Sequence, residues 1–115
     1  MDYVDGFVAA VPEAKREAYL AHATEAAALF REYGATRVTE CWGDDVPEGT
    51  LTSFPMAVKR EEGEVVVFSW VAWPSKAARD AGWARMMAEN RMAGSEMPFD
   101  GKRIIYGGFQ MMLDA

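Results

Sequence analysis

Residues 65–73 read VVVFSWVAW, bounded by the polar turn EEGE at 61–64 and by Pro74. A β-branched and aromatic run between such boundaries predicts a strand. Its alternation puts Val65, Val67, Ser69, Val71 and Trp73 on one face and Val66, Phe68, Trp70 and Ala72 on the other. An antiparallel strand with one wet face alternates apolar and polar residues. This one is apolar on both sides, so the sheet that holds it needs cover on both.

The rest of the chain arranges itself around this strand. Residues 3–11, YVDGFVAAV, predict a first strand, with Val4, Gly6, Val8 and Ala10 opposite Tyr3, Asp5, Phe7, Ala9 and Val11. Pro12 suits a first helical turn, where its missing N–H costs nothing. From Glu13 to Tyr33 the spacing is helical, and Tyr19, Ala23, Ala26, Phe30 and Tyr33 form one apolar stripe. Gly34 is a natural stop. Residues 35–43, ATRVTECWG, predict a second strand, and DDVPEGT at 44–50 is turn chemistry. LTSFPMAVKR at 51–60 fits a short strand or an irregular connection. Ser75 is a fitting N-cap for a second long helix, residues 76–90, with a stripe of Ala77, Ala81, Ala84 and Ala88 beside Met87. Gly82 weakens that helix. Residues 91–101 predict a loop, and 102–113, KRIIYGGFQMML, a last strand in which Ile105 and Phe109 oppose Ile104 and Tyr106.

The order is βαββαβ in one domain, residues 1–115. It predicts a ferredoxin-like α+β fold: a four-stranded antiparallel sheet with two helices on one face. Two helices cover only that face. A second copy of the chain is the simplest cover for the other, since two-fold homodimers are the commonest oligomers. The expectation is a homodimer with its sheets face to face.

Composition excludes several functions. The 115 residues carry 12 Lys and Arg against 18 Asp and Glu, a net charge of −6. Lys15-Arg16, Lys59-Arg60 and Lys102-Arg103 all have acidic neighbours, so no basic stripe for nucleic acid is present. No apolar run approaches the ~18 residues of a membrane span, and MDYVDGF has no signal-peptide character. Cys41 is the one cysteine, which excludes an intrachain disulfide and an all-cysteine metal cage. A soluble cytoplasmic protein is expected.

Four segments, YVDGFVAAVP at 3–12, ECWGDDVPEG at 40–49, VVFSWVAWPSKAARDAG at 66–82 and MPFDGKRIIYGGF at 97–109, resemble the YbaA-like family of small uncharacterised bacterial proteins. The resemblance covers almost the whole chain. It implies the dimeric α/β-barrel superfamily and brings no established activity or catalytic residues. That superfamily includes cofactor-independent monooxygenases, isomerases, haem-degrading enzymes and ligand sensors, among which fold alone does not choose. Trp83 stands where relatives carry a smaller or polar residue.

Candidate chemistry is sparse. Asp5, in a strand between Tyr3 and Phe7, is either a pocket base or a carboxylate paired with Arg103 or Lys102 on the neighbouring strand. Glu40 is either an acid–base partner for Asp5 or an edge-strand charge at a dimer rim. His22, the only histidine, could shuttle a proton or serve as a single axial ligand, or sit half-buried. Tyr106 completes the candidate proton-moving set. Tyr3, Trp42 and Trp70 are the candidate ligand-binding aromatics, which could equally fill the core and interface. Asp44, Asp45 and Glu48 lack calcium-loop spacing and read as a solvated turn. Cys41 reads as a small buried hydrophobe. No cofactor or metal motif is visible. Three functions remain: a binding protein for a small apolar or aromatic ligand, a cofactor-independent monooxygenase- or isomerase-like enzyme, and a protein-interaction module.

Overall fold

The computed structural model describes residues 2–91 and 97–115. The elements are β1 (Tyr3–Pro12), a 3-10 turn (Glu13–Lys15), α1 (Arg16–Glu32), β2 (Arg37–Trp42), α2 (Phe54–Ala57), β3 (Glu64–Trp73), α3 (Lys76–Ala88) and β4 (Ile105–Gln110). The sheet order is β2-β3-β1-β4, with every neighbouring pair antiparallel. The chain crosses from β1 to β2 through α1, leaving room for β3 between them. It crosses from β3 to β4 through α3, straddling β1. This is an α+β arrangement consistent with the ferredoxin-like plan. Of the loop expected at 91–101, residues 92–96 lie outside the described residues.

The apolar 65–73 run takes a central position beside the equally apolar β1, where both edges of the strand are paired. Val67, Ser69, Val71 and Trp73 face the long helices and are buried. On α1 the expected stripe is the one used: Tyr19, Ala23, Phe30 and Tyr33 are buried. Tyr19 and Ala23 pack on Val11 and Val67. Phe30 and Tyr33 join Val71, Trp73 and Met86.

Four expectations need correction. First, α3 does not bury its alanines. Gly82 and Met86 face the core, with Arg79 and Trp83 half-buried beside them, while Ala77, Ala81, Ala84, Met87 and Ala88 are exposed. Burial follows apolar area, and Trp83 and Met86 offer far more of it than four alanines. Gly82 is required rather than tolerated: a Cβ there would lie 2.6 Å from Trp73 Cζ3 and 2.8 Å from the Tyr33 carbonyl oxygen. Second, residues 54–57 form a helical turn capped by Ser53, whose Oγ accepts from the Met56 N–H at 3.1 Å. Third, that turn lies on the sheet face opposite α1 and α3. The fully buried Val58 packs with Val8, Ala10 and Val66, and Phe54 meets Phe68 edge-on at 6.0 Å. One end of the second face is therefore covered by the chain itself. Fourth, β4 begins only at Ile105, opposite Val8. Lys102 and Arg103 stay in the preceding turn.

Candidate functional site

The uncovered part of the second sheet face is a trough of about 530 Å³. Its floor is glycine, because Gly6 on β1 pairs directly with Gly107 on β4 and with Trp70 on β3. The Phe109 ring sits over both: a Cβ at either glycine would lie 3.5 or 3.6 Å from its Cε1. Phe68, Trp70, Ile105 and Val4 supply the walls. Phe68, Ile105 and Phe109 are 43, 44 and 63% exposed. Phe68 and Trp70 meet tilted by 58° at 5.6 Å and continue the aromatic row that Phe54 begins. The Tyr106 hydroxyl and the Trp70 indole N–H are the two polar side-chain groups among the lining residues.

On the helix side, Asp5 is buried and accepts from four N–H donors. Trp73 Nε1 and Trp83 Nε1 each reach Oδ2 at 3.0 Å, and Arg79 gives Nε and Nη2 to Oδ1 at 3.0 and 2.8 Å. The expected partners were Arg103 or Lys102; the ion pair is instead with Arg79 on α3. Arg103 pairs with Glu64, donating Nη1 and Nη2 at 2.7 Å each, and with Asp100. The register is the reason: Asp5 pairs with Gly108, five residues along β4 from Arg103, so neither Lys102 nor Arg103 comes beside it. No sequence motif marks Arg79, Trp73 and Trp83 as partners. One chemical signal was present: buried indole N–H groups need an acceptor, and Asp5 is the acidic residue embedded in an apolar strand.

Between α3 and β4 lies a crevice of about 500 Å³, lined by Asp5, Phe7, Arg79, Trp83, Ile104 and Tyr106. Asp5 and Tyr106 are the two proton-moving candidates that share a hollow. Glu40 is on β2, with β3 intervening between it and β1, roughly two strand spacings or ~10 Å from Asp5. It therefore makes no carboxylate pair with Asp5. The Tyr19 hydroxyl donates to Glu40 at 2.7 Å. Burial raises the Glu40 pKa above its ordinary value, and burial together with Glu40 raises that of Tyr19. These two residues share a hollow of about 160 Å³ with Arg16 and Trp42.

His22 is half-buried on α1, edge-on to Phe99 at 6.3 Å. The ligand-binding aromatics are scattered. Trp70 lines the trough. Trp42 is on the helix side, under the Arg16 guanidinium at 5.2 Å. Tyr3 is also on the helix side, under Arg79 at 5.3 Å. Trp42 and Trp70 point to opposite faces of the sheet and do not grip one molecule. Cys41 is exposed rather than buried, because it lies on the edge strand β2 and faces the open side opposite Phe68. Glu48 of the acidic turn pairs with Arg60 at 3.2 Å. No helix among the described residues is long and apolar enough to cross a membrane.

Residues 2–101 match the family model described as protein of unknown function (DUF1428). The chain is 58% identical over 116 residues to the uncharacterized protein YbaA of Escherichia coli K12, covering 99% of each chain. It is equally similar, with the same coverage, to that of Shigella flexneri. Among solved structures it is similar to CPII bound to ADP and bicarbonate from Thiomonas intermedia K12, at 13% identity over 95% of this chain and 88% of that one. The TM-score there is 0.33, too low to bear on fold or function.

Proposed function

The chain belongs to the DUF1428 family of proteins of unknown function, and on that premise we propose that it is a homodimer whose apposed sheet faces hold a small apolar or aromatic ligand. The observation that carries this is the open trough of about 530 Å³, lined by aliphatic and aromatic side chains over a glycine floor. Its volume lies within the ~300–1,000 Å³ of small-molecule sites. Two strands of ten residues and two of six make a face of roughly 20 by 20–30 Å, one end of it covered by α2. That is the order of the ~800 Å² each partner contributes to a stable interface. The occupant of the face is a second copy, because an apolar, nearly uncharged surface complements itself.

Binding is favoured over turnover because the trough has one hydroxyl and no carboxylate, imidazole or cation. A monooxygenase- or isomerase-like enzyme would need convergent polar groups. Glu40 with Tyr19 sits in a hollow of about 160 Å³, below the usual range, and in the larger crevice the Asp5 carboxylate is already taken by four N–H donors.

Native mass spectrometry of protein freshly purified from its own host tests both halves of the proposal. The expected result is a dimer carrying a reproducible small-molecule mass that organic solvent extracts. A bare dimer would refute the ligand, and a monomer would refute the apposed sheets.

A further inference from the structure

We propose that the crevice between α3 and β4 is a second binding site, distinct from the trough, for a small, planar, uncharged aromatic compound bearing a carbonyl-type acceptor. Its apolar lining is the Trp83 indole, the Tyr106 ring, Phe7 and Ile104. Those surfaces suit a flat ring system. At about 500 Å³ it has the size of a ligand pocket.

The polar groups of the crevice decide which ligand fits. Asp5 already accepts from Trp73, Trp83 and two N–H groups of Arg79. Asp80 accepts from Lys76 at 2.7 Å and from Arg79 Nη1 at 2.9 Å. Arg79 has five N–H groups. Three are used in these bonds, which leaves two without an acceptor among the described residues. The Asp5 oxygens are thus filled while Arg79 keeps N–H groups in reserve, and those donors are the ground for a ligand that carries an acceptor.

Charge narrows the class further. Arg79 and Lys76 are balanced by Asp5 and Asp80. An anionic ligand would gain no net attraction and would face two carboxylates. A neutral carbonyl avoids that repulsion and still receives the free N–H groups. The wall is also pre-formed. Arg79 is held by both carboxylates, and a Cβ at Gly108 would collide with the Tyr3 hydroxyl and come within 3.0 Å of Arg79 Nη2. Glycine at that position is what lets Tyr3 and Arg79 pack over β4.

Indole N–H resonances of the ¹⁵N-labelled full chain separate the two sites. Trp83 and Trp73 report on the crevice, through their bonds to Asp5, and Trp70 reports on the trough. Coumarin, a neutral planar lactone, is the probe, with benzoate at the same concentration as the charged comparison. Coumarin is expected to shift Trp83 and Trp73 saturably and leave Trp70 in place, and benzoate to shift none of them. Tyr106→Ala, at a residue 76% exposed, is expected to weaken coumarin binding at least fivefold with the melting temperature unchanged. A shift confined to Trp70, no shift at millimolar coumarin, benzoate binding equal to coumarin, or unchanged affinity in Tyr106→Ala would each overturn the proposal. Phe7 and Tyr106 line both hollows, so the resonance that moves, Trp83 and Trp73 or Trp70, tells the crevice from the trough whether or not the sheets pair.

Discussion

Asp5 is the residue on which the helix side of the molecule turns. Its side chain is 5% exposed and that of Arg79 25%. Removing one partner of a buried pair strands the other. Asp5→Ala leaves the Arg79 guanidinium without its main partner and the Trp73 and Trp83 N–H groups without their acceptor. The expected cost is about 3–5 kcal/mol by urea denaturation; a loss below about 1 kcal/mol would contradict the pairing. Glu64 gives a prediction in pH. Hydrogen bonds from Arg103 hold its carboxyl below the ordinary value of 4.5. A depressed carboxylate contributes stability that is fully present above its unfolded pKa and lost as pH falls through its folded one. Glu64→Gln should therefore lie furthest below the wild type in urea midpoint at pH 7, and the gap should narrow below about pH 4.5. A gap independent of pH would refute the ion pair. The sequence shows that Asp5 needs a partner, because a charge inside VDGFV cannot be left alone. Which cation answers is set by the register of β4, which puts Gly108 rather than Arg103 beside Asp5, and by the rotation of α3 that brings Arg79 there, and neither shows in the residues around Asp5.

At the level of elements, strand pattern was the most readable feature and helix facing the least. A strand's period of two leaves only two choices of face. A helix can be rotated by one residue and still read as amphipathic, and the alanines of α3 made a regular stripe that the packing does not use. Gly82 tests the orientation found. On helix propensity alone, Gly82→Ala would gain about 1 kcal/mol. The new methyl group would lie 2.6 Å from Trp73 Cζ3 and 2.8 Å from the Tyr33 carbonyl oxygen. Trp73 is fully buried and its indole is tied to Asp5, so it cannot move aside. Overpacking of this kind costs ~1–3 kcal/mol, and a net loss of stability is expected in thermal unfolding. A stabilised Gly82→Ala would place another face of α3 against the sheet. The α2 turn carries its signals, Ser53 as N-cap and Pro55 in the first turn. It escapes recognition because four residues are too few to show a period.

The whole molecule is organised by a sheet with two apolar faces and unequal cover. Two long helices close one face, and the short α2 segment closes an end of the other. Phe68, Ile105 and Phe109 remain exposed around the glycine floor. The two apolar faces were legible in VVVFSWVAW itself. The trough and the crevice were not, because they depend on which glycines meet across β1 and β4 and on how α3 is rotated. A contiguous exposed apolar surface calls for a partner, and Phe68→Asp, on the wall of the trough, should abolish association while leaving the fold intact. The most direct measurement is light scattering on the wild-type chain at about 10 µM, a concentration well above the Kd of a typical stable interface. A mass of twice 12.7 kDa that Phe68→Asp halves is the expected result; a wild-type mass of 12.7 kDa would contradict the pairing of the open sheet faces.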